Sequence, residues 1–474
     1  MFMLVDRDYE LGYLDNQYNK NGSNFIVIYG RRRIGKTYLI NEFCKNKPTA
    51  YFLSTQENSR ELIKAFSIKL STLFNDKIIS QNPLTSWSSV FEYLVDRTED
   101  LSEKIIVVID EITYIIMADK SFLSIFQKYY DLYLKTRNIM FILSGSLINI
   151  VYNDLLGYSS PLYGRKTGNL KLDEFHFCDT YKYFSYLDFH ETITIYSLFG
   201  GIPYYLSLID NSKDYLEQYL SKGNIFYNDA EFILREELSN PERYFTILKL
   251  IASGKTGISE ISSAMGYKTN ELSPYVEKLT SLDIIKKEYP IYNKKRNNGL
   301  YKINSNYFNF YFNYIFENKE YIERQDIGIL KNIINKNLKE YISRIFEDIC
   351  TEFLIKYSRD IIHADILRIG RWWGKTAKAT AQPLIDEIDA MGEDSAGRHF
   401  FCEVKYRNRM ANIKVLEDLK RKSNNFHFEN ELFIIFSESG FEQDLVGISK
   451  IEKNVILIDG DTMARMIRTK TIPS

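Results

Sequence analysis

Short apolar runs alternate with amphipathic stretches along the first half of the chain. The apolar runs lie at residues 25–29, 50–53, 105–109 and 140–143. Runs this short and this uniformly apolar predict strands that are buried on both faces, and residues 38–44 have the spacing of a helix. Strands separated by helices predict a parallel sheet covered on both sides, so the expected fold class is α/β. A helical region is expected from about residue 173 to residue 240.

The pattern changes to short helices from residue 242 onward. Apolar spacing predicts helices at residues 244–252, 258–265 and 271–282, and strands at residues 284–287 and 300–303 around a polar turn. Three short helices followed by a hairpin predict a winged helix-turn-helix module. Residues 307–321 are dense in Tyr and Phe, which we interpret as packing between domains. A C-terminal α/β unit follows, with a helix that begins near Tyr341.

Composition narrows the class of protein. A chain of 474 residues predicts roughly three domains, and 45% hydrophobic with 26% charged residues excludes global disorder. The formal charge is -1, so any attraction to nucleic acid must come from local basic surfaces. The 4 cysteines are far apart, which argues against a zinc site or a disulfide framework. Without a membrane-length apolar stretch or a secretory signal, we expect a cytoplasmic protein with no membrane partner.

A phosphate-binding motif of the type G-x-x-x-x-G-K-[ST] follows the first predicted strand. We expect it to bind nucleotide through Gly30, Arg31, Arg32, Arg33, Ile34, Gly35, Lys36, Thr37 and the adjoining Tyr38. The glycines let backbone N–H groups curl around phosphates at a helix N-terminus. Lys36 can reach the β- and γ-phosphates, and Thr37 can place its hydroxyl on Mg²⁺. The alternative is a chance match in a glycine-containing turn.

Two carboxylates end the third predicted strand. We expect Asp110 to hold Mg²⁺, in part through water, and Glu111 to orient or deprotonate the attacking water. The alternative is a buried strand that ends in two solvated acids. Two further residues are candidates for catalysis: Ser144, after the fourth strand, can sense the γ-phosphate, and Arg165 can neutralise transition-state charge in cis or from a neighbouring subunit. An ordinary turn and a solvated arginine are the respective alternatives.

Together these motifs resemble the archaeal-type AAA+ ATPase family of prokaryotes over roughly the first 300 residues. The motifs are those around Arg7 to Leu11, the 30–37 loop, Ile109-Asp110-Glu111, Leu162-Tyr163-Gly164-Arg165, and Gly200-Gly201-Ile202-Pro203. The resemblance implies an AAA+ core, a helical lid and a winged helix behind it. It also implies ATP rather than GTP as the nucleotide. The Gly200–Pro203 segment is expected to be a rigid turn that joins the sheet to the lid.

The C-terminal unit contains two further motifs, Ile385-Asp386-Glu387-Ile388-Asp389 and Phe400-Phe401-Cys402-Glu403-Val404-Lys405-Tyr406. In this order they resemble the PD-(D/E)xK nuclease superfamily. Strand alternation puts Glu403 and Lys405 on one face, where Asp389 of the neighbouring strand can meet them. Asp389 and Glu403 are expected to bind a second divalent metal, Mg²⁺ or Mn²⁺, with Lys405 activating water, and Glu347 can complete the metal shell. Asp386 and Glu387 are rival acids. The alternatives are a solvated helix-face acid for Glu347 and a nuclease-like fold that serves only for docking.

Two local basic runs point to DNA as a partner. The first lies on the hairpin, at Lys286, Lys287, Lys294, Lys295, Arg296 and Lys302. The second comprises Lys405, Arg407, Arg409, Lys414, Lys420, Arg421 and Lys422. Such runs can grip phosphates without reading sequence. The alternatives are a solvated hairpin, a winged helix used for protein packing, and an ordinary solvated helix face.

The sequence therefore predicts an ATPase core with lid at residues 1–240, a winged helix at 241–305, an aromatic-rich connector at 306–340 and a nuclease-like domain at 341–474. We expect a Mg²⁺-dependent ATPase coupled to a DNA-binding or nuclease-like module. The alternative is a nucleotide-dependent switch with protein partners and an inactive nuclease fold. A third hypothesis is a nuclease gated by ATP. The sequence leaves the oligomeric state open.

Overall fold

Five strands form a parallel sheet in the first half of the chain. The computed structural model describes residues 7–210, 214–293, 299–375 and 385–469. The strands are β1 (Asn24–Tyr29), β2 (Thr49–Leu53), β3 (Ile105–Asp110), β4 (Ile139–Gly145) and β5 (Gly168–Lys171). Their order is β2-β3-β4-β1-β5, with every neighbouring pair parallel. The carboxyl ends of β1, β3 and β4 therefore meet at one edge of the sheet.

Helices cover both faces of this sheet. They are α1 (Asp8–Tyr18), α2 (Lys36–Cys44), α3 (Ser59–Leu73), α4 (Lys77–Gln81), α5 (Trp87–Arg97), α6 (Ile112–Ala118), α7 (Phe122–Leu132) and α8 (Ile148–Ile150). Alternate residues of β1 point to opposite sides, so Phe25 joins a core with Phe91 of α5, whereas Ile26 joins a second core with Leu39 of α2. The α/β prediction and its four strands are confirmed.

The middle of the chain is helical up to a small hairpin. Its elements are α9 (Phe177–Tyr183), α10 (Phe189–Phe199), α11 (Pro203–Leu206), α12 (Tyr215–Leu220), α13 (Asp229–Glu237), α14 (Glu242–Ala252), α15 (Ile258–Met265), α16 (Thr269–Ser281), β6 (Ile285–Glu288) and β7 (Leu300–Ile303). We call α9–α13 the lid and α14–β7 the helix-hairpin segment. The three helices and two antiparallel strands predicted there are present. Lys294, Lys295 and Arg296 lie outside the described residues.

A second five-stranded sheet forms the C-terminal module. The elements from residue 306 are α17 (Asn306–Phe310), α18 (Lys319–Glu323), α19 (Ile327–Lys356), α20 (Ser358–Ile361), β8 (Ile366–Lys375), β9 (Ile385–Asp394), β10 (His399–Lys405), α21 (Ile413–Ser423), β11 (Glu431–Ser437), α22 (Gln443–Ile451), β12 (Val455–Asp459) and α23 (Gly460–Thr469). The order is β12-β11-β10-β9-β8. The β8–β9 and β9–β10 pairs are antiparallel, and the remaining pairs are parallel.

Two features differ from the sequence-based expectations. The short edge strand β5 was not predicted, because its sequence Gly-Asn-Leu-Lys has no apolar run. Helix α19 begins at Ile327 rather than near Tyr341 and runs for 30 residues. Its first turns already carry buried residues, Leu330 and Ile334, so the helix packs along its whole length.

The aromatic segment 307–321 packs against the lid on one side and against α19 on the other. The Tyr307 hydroxyl donates to the Phe226 carbonyl at 2.6 Å, and its ring centroid lies 4.5 Å from that of Tyr205 in the lid. On the other side, Phe310 packs against Tyr341 of α19. In the described part of the chain, no helix is both long and apolar enough to cross a membrane.

Candidate active site

The loop from β1 to α2 has a backbone that favours glycine at two positions. Gly30 has φ +151°, and a Cβ there would lie 2.3 Å from both the Leu172 carbonyl oxygen and the Ile34 side chain. Gly35, directly before α2, has φ +89°. These conformations turn the chain sharply into the helix N-terminus, where the first N–H groups have no partner within the helix. The loop is therefore built to receive an anion.

The Lys36 side chain lies across this loop. It is 5% exposed, and its Nζ donates to the carbonyls of Gly30 at 2.9 Å and Arg31 at 3.0 Å. Burial lowers the pKa of the Lys36 ammonium, while the nearby carboxylates of Glu111 and Asp110 act in the opposite direction. The ammonium is thus held at the mouth of the loop, with carbonyl partners that phosphate oxygens can replace.

Asp110 is fully buried at the end of β3 and accepts hydrogen bonds from three hydroxyls. Thr37 Oγ1 donates to Oδ2 at 2.7 Å, Tyr51 also donates to Oδ2, and Ser144 donates to Oδ1. Burial, and then the charge of Asp110, raise the pKa of Tyr51, so the phenol stays protonated and keeps donating. Ser144 therefore positions Asp110 in this structure, and its predicted role as a phosphate sensor stays a prediction.

The oxygens of Thr37 and Asp110 suit a magnesium ion. A hydroxyl and a carboxylate side by side are hard oxygen donors, and such a site leaves the other positions to phosphate and water. Among the residues that the structure describes, no three His, Cys, Asp or Glu side chains gather as a metal cluster. A single carboxylate at this position is what a nucleotide-bound Mg²⁺ requires, because the phosphates supply the rest of the charge.

Glu111 is held in a fixed direction at the start of α6. Its backbone has φ 55°, and its Oε2 accepts from the N–H of Ser146 at 3.1 Å and from its hydroxyl at 2.8 Å. Ser54, which follows β2, donates to the Asp110 carbonyl at 2.9 Å. No role was expected for Tyr51 or Ser54, and Ser146 was expected only as part of the turn after the fourth strand. Their positions on strands next to β3 were the available signal, since parallel strands end at a common edge.

The three loop arginines contact different parts of the chain, although two of them share α13. Arg31 reaches the turn after α16, Arg32 reaches α6 and α13, and Arg33 reaches α11 and α13. Their partners are Glu174 and Asp283 for Arg31, Tyr114 and Glu236 for Arg32, and Asp229, Tyr204 and Tyr205 for Arg33. The phosphate loop is therefore tied to the lid and to the helix-hairpin segment.

Arg165 points toward its own turn. Its Nε contacts both carboxylate oxygens of Asp131, at 3.0 and 2.8 Å, and Nη1 donates to the carbonyls of Pro161 and Tyr163. Its expected role at the nucleotide stays a prediction. The Gly200–Pro203 segment is a turn, as predicted, but it connects α10 to α11 within the lid and does not join the sheet to the lid. A Cβ on Gly201 would lie 1.8 Å from the Phe175 carbonyl oxygen, and the Tyr204 N–H donates to the Arg33 carbonyl at 3.2 Å.

A cavity of about 660 Å³ separates the phosphate loop from the C-terminal module. Gly30 and Arg31 line one end, and Asp348, Arg371 and Trp373 line the other. A volume of this size accommodates a ligand the size of a nucleotide.

The candidate acids of the C-terminal module lie together, but each has a donor of its own. The Asp389 Oδ2 accepts from the Val404 N–H at 2.7 Å, and Glu347 pairs with Arg371 at 2.8 Å. Burial, and then the charge of Asp389, raise the pKa of Glu347 to about 8. Burial, and then the charge of Glu403, raise the pKa of Asp389 to about 6. The charges of these acids therefore act on one another, but among the described residues no three such side chains gather as a metal cluster, and the predicted metal site stays a prediction.

Glu403 is engaged by two lysines. Lys405 pairs with its Oε1, which confirms that both side chains lie on one face of β10, and Lys422 pairs with its Oε2 at 2.9 Å. From the sequence, Lys422 was expected only as a member of the second basic run. Other members of that run are paired as well: Lys420 with Glu452, and Arg421 with the rival acid Asp386. The surface of this helix therefore carries less uncompensated positive charge than its sequence indicates.

The sequence matches two families and one nearly full-length relative. Residues 4–209 match the ATPase domain predominantly from Archaea, and residues 311–423 match archaeal and bacterial proteins of unknown function. An uncharacterized protein of Methanocaldococcus jannaschii is 32% identical over 428 residues, which is 89% of this chain and 92% of that protein.

Two solved structures are similar over most of their own length. A Walker-type ATPase of Pyrococcus abyssi has 23% identity and a TM-score of 0.49, and the match covers 65% of this chain and 96% of that one. The ORC2 protein of Aeropyrum pernix has 15% identity and a TM-score of 0.43, with 71% and 95% covered.

Proposed function

Because the chain belongs to the family of the ATPase domain predominantly from Archaea, we propose that it hydrolyses ATP with Mg²⁺ at the loop between β1 and α2. The observation that carries the proposal is the convergence of Lys36, Thr37, Asp110 and Glu111 at one edge of the sheet. A phosphate cradle, a hydroxyl–carboxylate pair and a second, oriented carboxylate are the parts that phosphoryl transfer to water requires.

The residues divide the work as follows. The loop N–H groups and Lys36 bind the phosphates, with the ammonium exchanging its two carbonyl partners for phosphate oxygens. Thr37 and Asp110 would hold Mg²⁺, which neutralises charge on the phosphates when bound. Glu111, fixed by Ser146, accepts the proton of the water that attacks the γ-phosphorus. The bond from that phosphorus to the β–γ bridging oxygen breaks, and ADP leaves with the electron pair.

Two substitutions test this proposal. Lys36→Ala removes the ammonium and should abolish ATP turnover together with tight nucleotide binding. Glu111→Gln keeps the shape of the side chain but cannot accept the proton, so it should bind ATP normally and hydrolyse it at least about 100-fold more slowly. Turnover of ATP by Lys36→Ala at the wild-type rate would refute the proposal.

DNA is the partner that we propose for the helix-hairpin segment. Support comes from its basic sequence, 286–302, although Lys302 pairs with Asp348 and Lys286 with Glu288. Replacing Lys294, Lys295 and Arg296 together by Gln should weaken DNA binding and flatten its salt dependence. Fluorescence anisotropy at two salt concentrations measures both, with the exposed Arg344→Gln as the control. Unchanged DNA affinity would favour a role in protein packing.

For the C-terminal module we propose a nuclease-like fold that docks a partner without cutting DNA. The donor set does not fit a divalent cation in this arrangement, because both oxygens of Glu403 accept from lysine ammonium groups. ATP hydrolysis at the loop between β1 and α2 would then change how the C-terminal module is presented to its partner. Incubation with supercoiled and linear DNA, with and without ATP and Mg²⁺ or Mn²⁺, should leave both DNAs intact. Cleavage that Asp389→Ala abolishes would refute this and restore the nuclease hypothesis.

A further inference from the structure

Arg32 bridges the two elements that flank the candidate catalytic glutamate. Its Nη2 donates to the Tyr114 hydroxyl at 2.9 Å and pairs with Glu236 Oε1 at 3.0 Å. Tyr114 lies in the first turn of α6, directly after Glu111, and Glu236 lies in the last turn of α13. The guanidinium of a phosphate-loop residue thus lies beside the helix that Glu111 starts.

The surroundings of Arg32 lead to the same place. Arg32, Ser146 and Glu236 line one small crevice, and Ser146 is the residue whose N–H and hydroxyl hold the Glu111 carboxylate. Burial lowers the pKa of Lys36, and the charge of Arg32 lowers it further; burial raises the pKa of Glu236 against the charge of Arg32, and the charge of Glu111 raises it further. The Arg32–Glu236 pair therefore lies within electrostatic reach of both Lys36 and Glu111.

Among the contacts of the three loop arginines, the ion pair of Arg32 with Glu236 is the easiest to replace by a contact with phosphate. Arg33 pairs with Asp229, which is only 4% exposed and also accepts from a buried tyrosine hydroxyl. Arg31 donates to a backbone carbonyl. The side chains of Arg32 and Glu236, by contrast, are 26% and 28% exposed, and such partly solvated pairs are weak. A γ-phosphate carries more charge than a carboxylate and can accept two guanidinium hydrogen bonds.

We propose that Arg32 is a catalytic residue that acts in cis. When ATP binds, the Arg32 guanidinium separates from Glu236, binds the γ-phosphate and neutralises the charge on its oxygens during hydrolysis. This rests on the proposed ATPase function. Glu236 is then the resting partner of Arg32, and it occupies the guanidinium when ADP, which lacks the γ-phosphate, fills the loop. No arginine from a neighbouring subunit is needed for this role, and Arg165 can remain bound to Asp131.

The experiment combines turnover with binding. We would measure kcat and KM for ATP, and the Kd of ADP and of a non-hydrolysable ATP analogue, for wild type, Arg32→Ala, Arg32→Lys and Glu236→Gln. Arg344→Ala is the matched control, because Arg344 pairs with a glutamate on an exposed helix face. Arg32→Ala should lower kcat at least about 100-fold and weaken the ATP analogue, with ADP affinity changed less than about threefold.

The other variants separate catalysis from support of the fold. Arg32→Lys should recover part of kcat, and Glu236→Gln should bind the ATP analogue more tightly relative to ADP. Equal losses of ATP-analogue and ADP affinity in Arg32→Ala, or a kcat within about threefold of wild type, would overturn the proposal. If Arg32→Ala does not fold, an unchanged ratio of the two affinities in Glu236→Gln overturns it. Wild-type protein that binds nucleotide but does not turn over refutes the ATPase proposal, and the ratio still decides the role of Arg32.

Discussion

Tyr51→Phe deletes a single oxygen atom from the site and should weaken binding of Mg²⁺–ATP. The Tyr51 hydroxyl is one of three that donate to the buried Asp110 carboxylate. In the loaded state we expect Thr37 to turn its hydroxyl toward the metal, which leaves Tyr51 and Ser144 to hold Asp110. The lost hydrogen bond therefore costs more with Mg²⁺–ATP bound than without it.

The size of the effect follows from the charge of the acceptor. A hydrogen bond to a charged group contributes about 1.5–3 kcal/mol. Because this bond is also present without nucleotide, only the difference in its strength between the two states lowers the affinity, so the loss is at most roughly 10- to 150-fold. Isothermal titration with ATP in the presence of Mg²⁺ and in the presence of EDTA separates the two states. We expect Tyr51→Phe to lose ATP affinity in the presence of Mg²⁺ and to change little in EDTA. We also expect a lower thermal midpoint of the nucleotide-free protein.

The control is Tyr133→Phe, which removes a phenol from an exposed ring in the same domain. It should change neither affinity nor midpoint. Burial and the charge of Asp110 keep the pKa of Tyr51 above its ordinary value, so the difference between wild type and Tyr51→Phe should be constant between about pH 6 and pH 9. Mg²⁺–ATP affinity within about twofold of wild type, or an equal loss in EDTA, would refute the reasoning.

Three further predictions concern the loop, a buried ion pair and a histidine. Gly30→Ala should abolish nucleotide binding and lower the thermal midpoint, because its Cβ would lie 2.3 Å from a carbonyl oxygen; Gly12→Ala, with open space in α1, should instead stabilise by about 0.5–1 kcal/mol. Lys422→Met should destabilise by about 2–4 kcal/mol in urea unfolding, because it leaves Glu403 with one lysine in a buried site, whereas the exposed Lys420→Met should cost under about 1 kcal/mol. A hydrogen bond to a glutamate raises the pKa of His190, so its contribution is complete below the ordinary value of 6.5 and is lost as pH rises through the raised pKa; His190→Gln should flatten the thermal midpoint over that window, and an unaltered pH profile would contradict this.

The first sheet and the central residues of its site could be predicted from local sequence signals. Strands β1 to β4 each contain a short apolar run, and the spacing of Gly30, Gly35 and Lys36 follows from covalent geometry and phosphate chemistry. The positions of Asp110 and Glu111 could be predicted as well, because the end of the apolar run fixes where the next two residues lie. These inferences needed no knowledge of how distant segments meet.

The rest depended on contacts between distant segments. Tyr51 reaches Asp110 only because β2 lies beside β3, and Arg32 meets Glu236 only because α13 folds back over the loop. The basic run after residue 405 misled for the same reason. Its acidic partners, Asp386 and Glu452, lie on other elements, so counting acids within the run could not find them.

Helix α19 determines how this protein can be divided. By its rise of about 1.5 Å per residue, 30 residues form a rod of roughly 45 Å. The hydroxyl of Tyr341, near its middle, donates to the Ser197 carbonyl of the lid, while Asp348 pairs with the hairpin and Glu347 with β8. A cut at residue 340 would split this rod and expose apolar surface on both pieces. Fragments intended to separate the two modules should therefore keep the helix whole. Because the helix is continuous, a displacement of either end moves the other end as well.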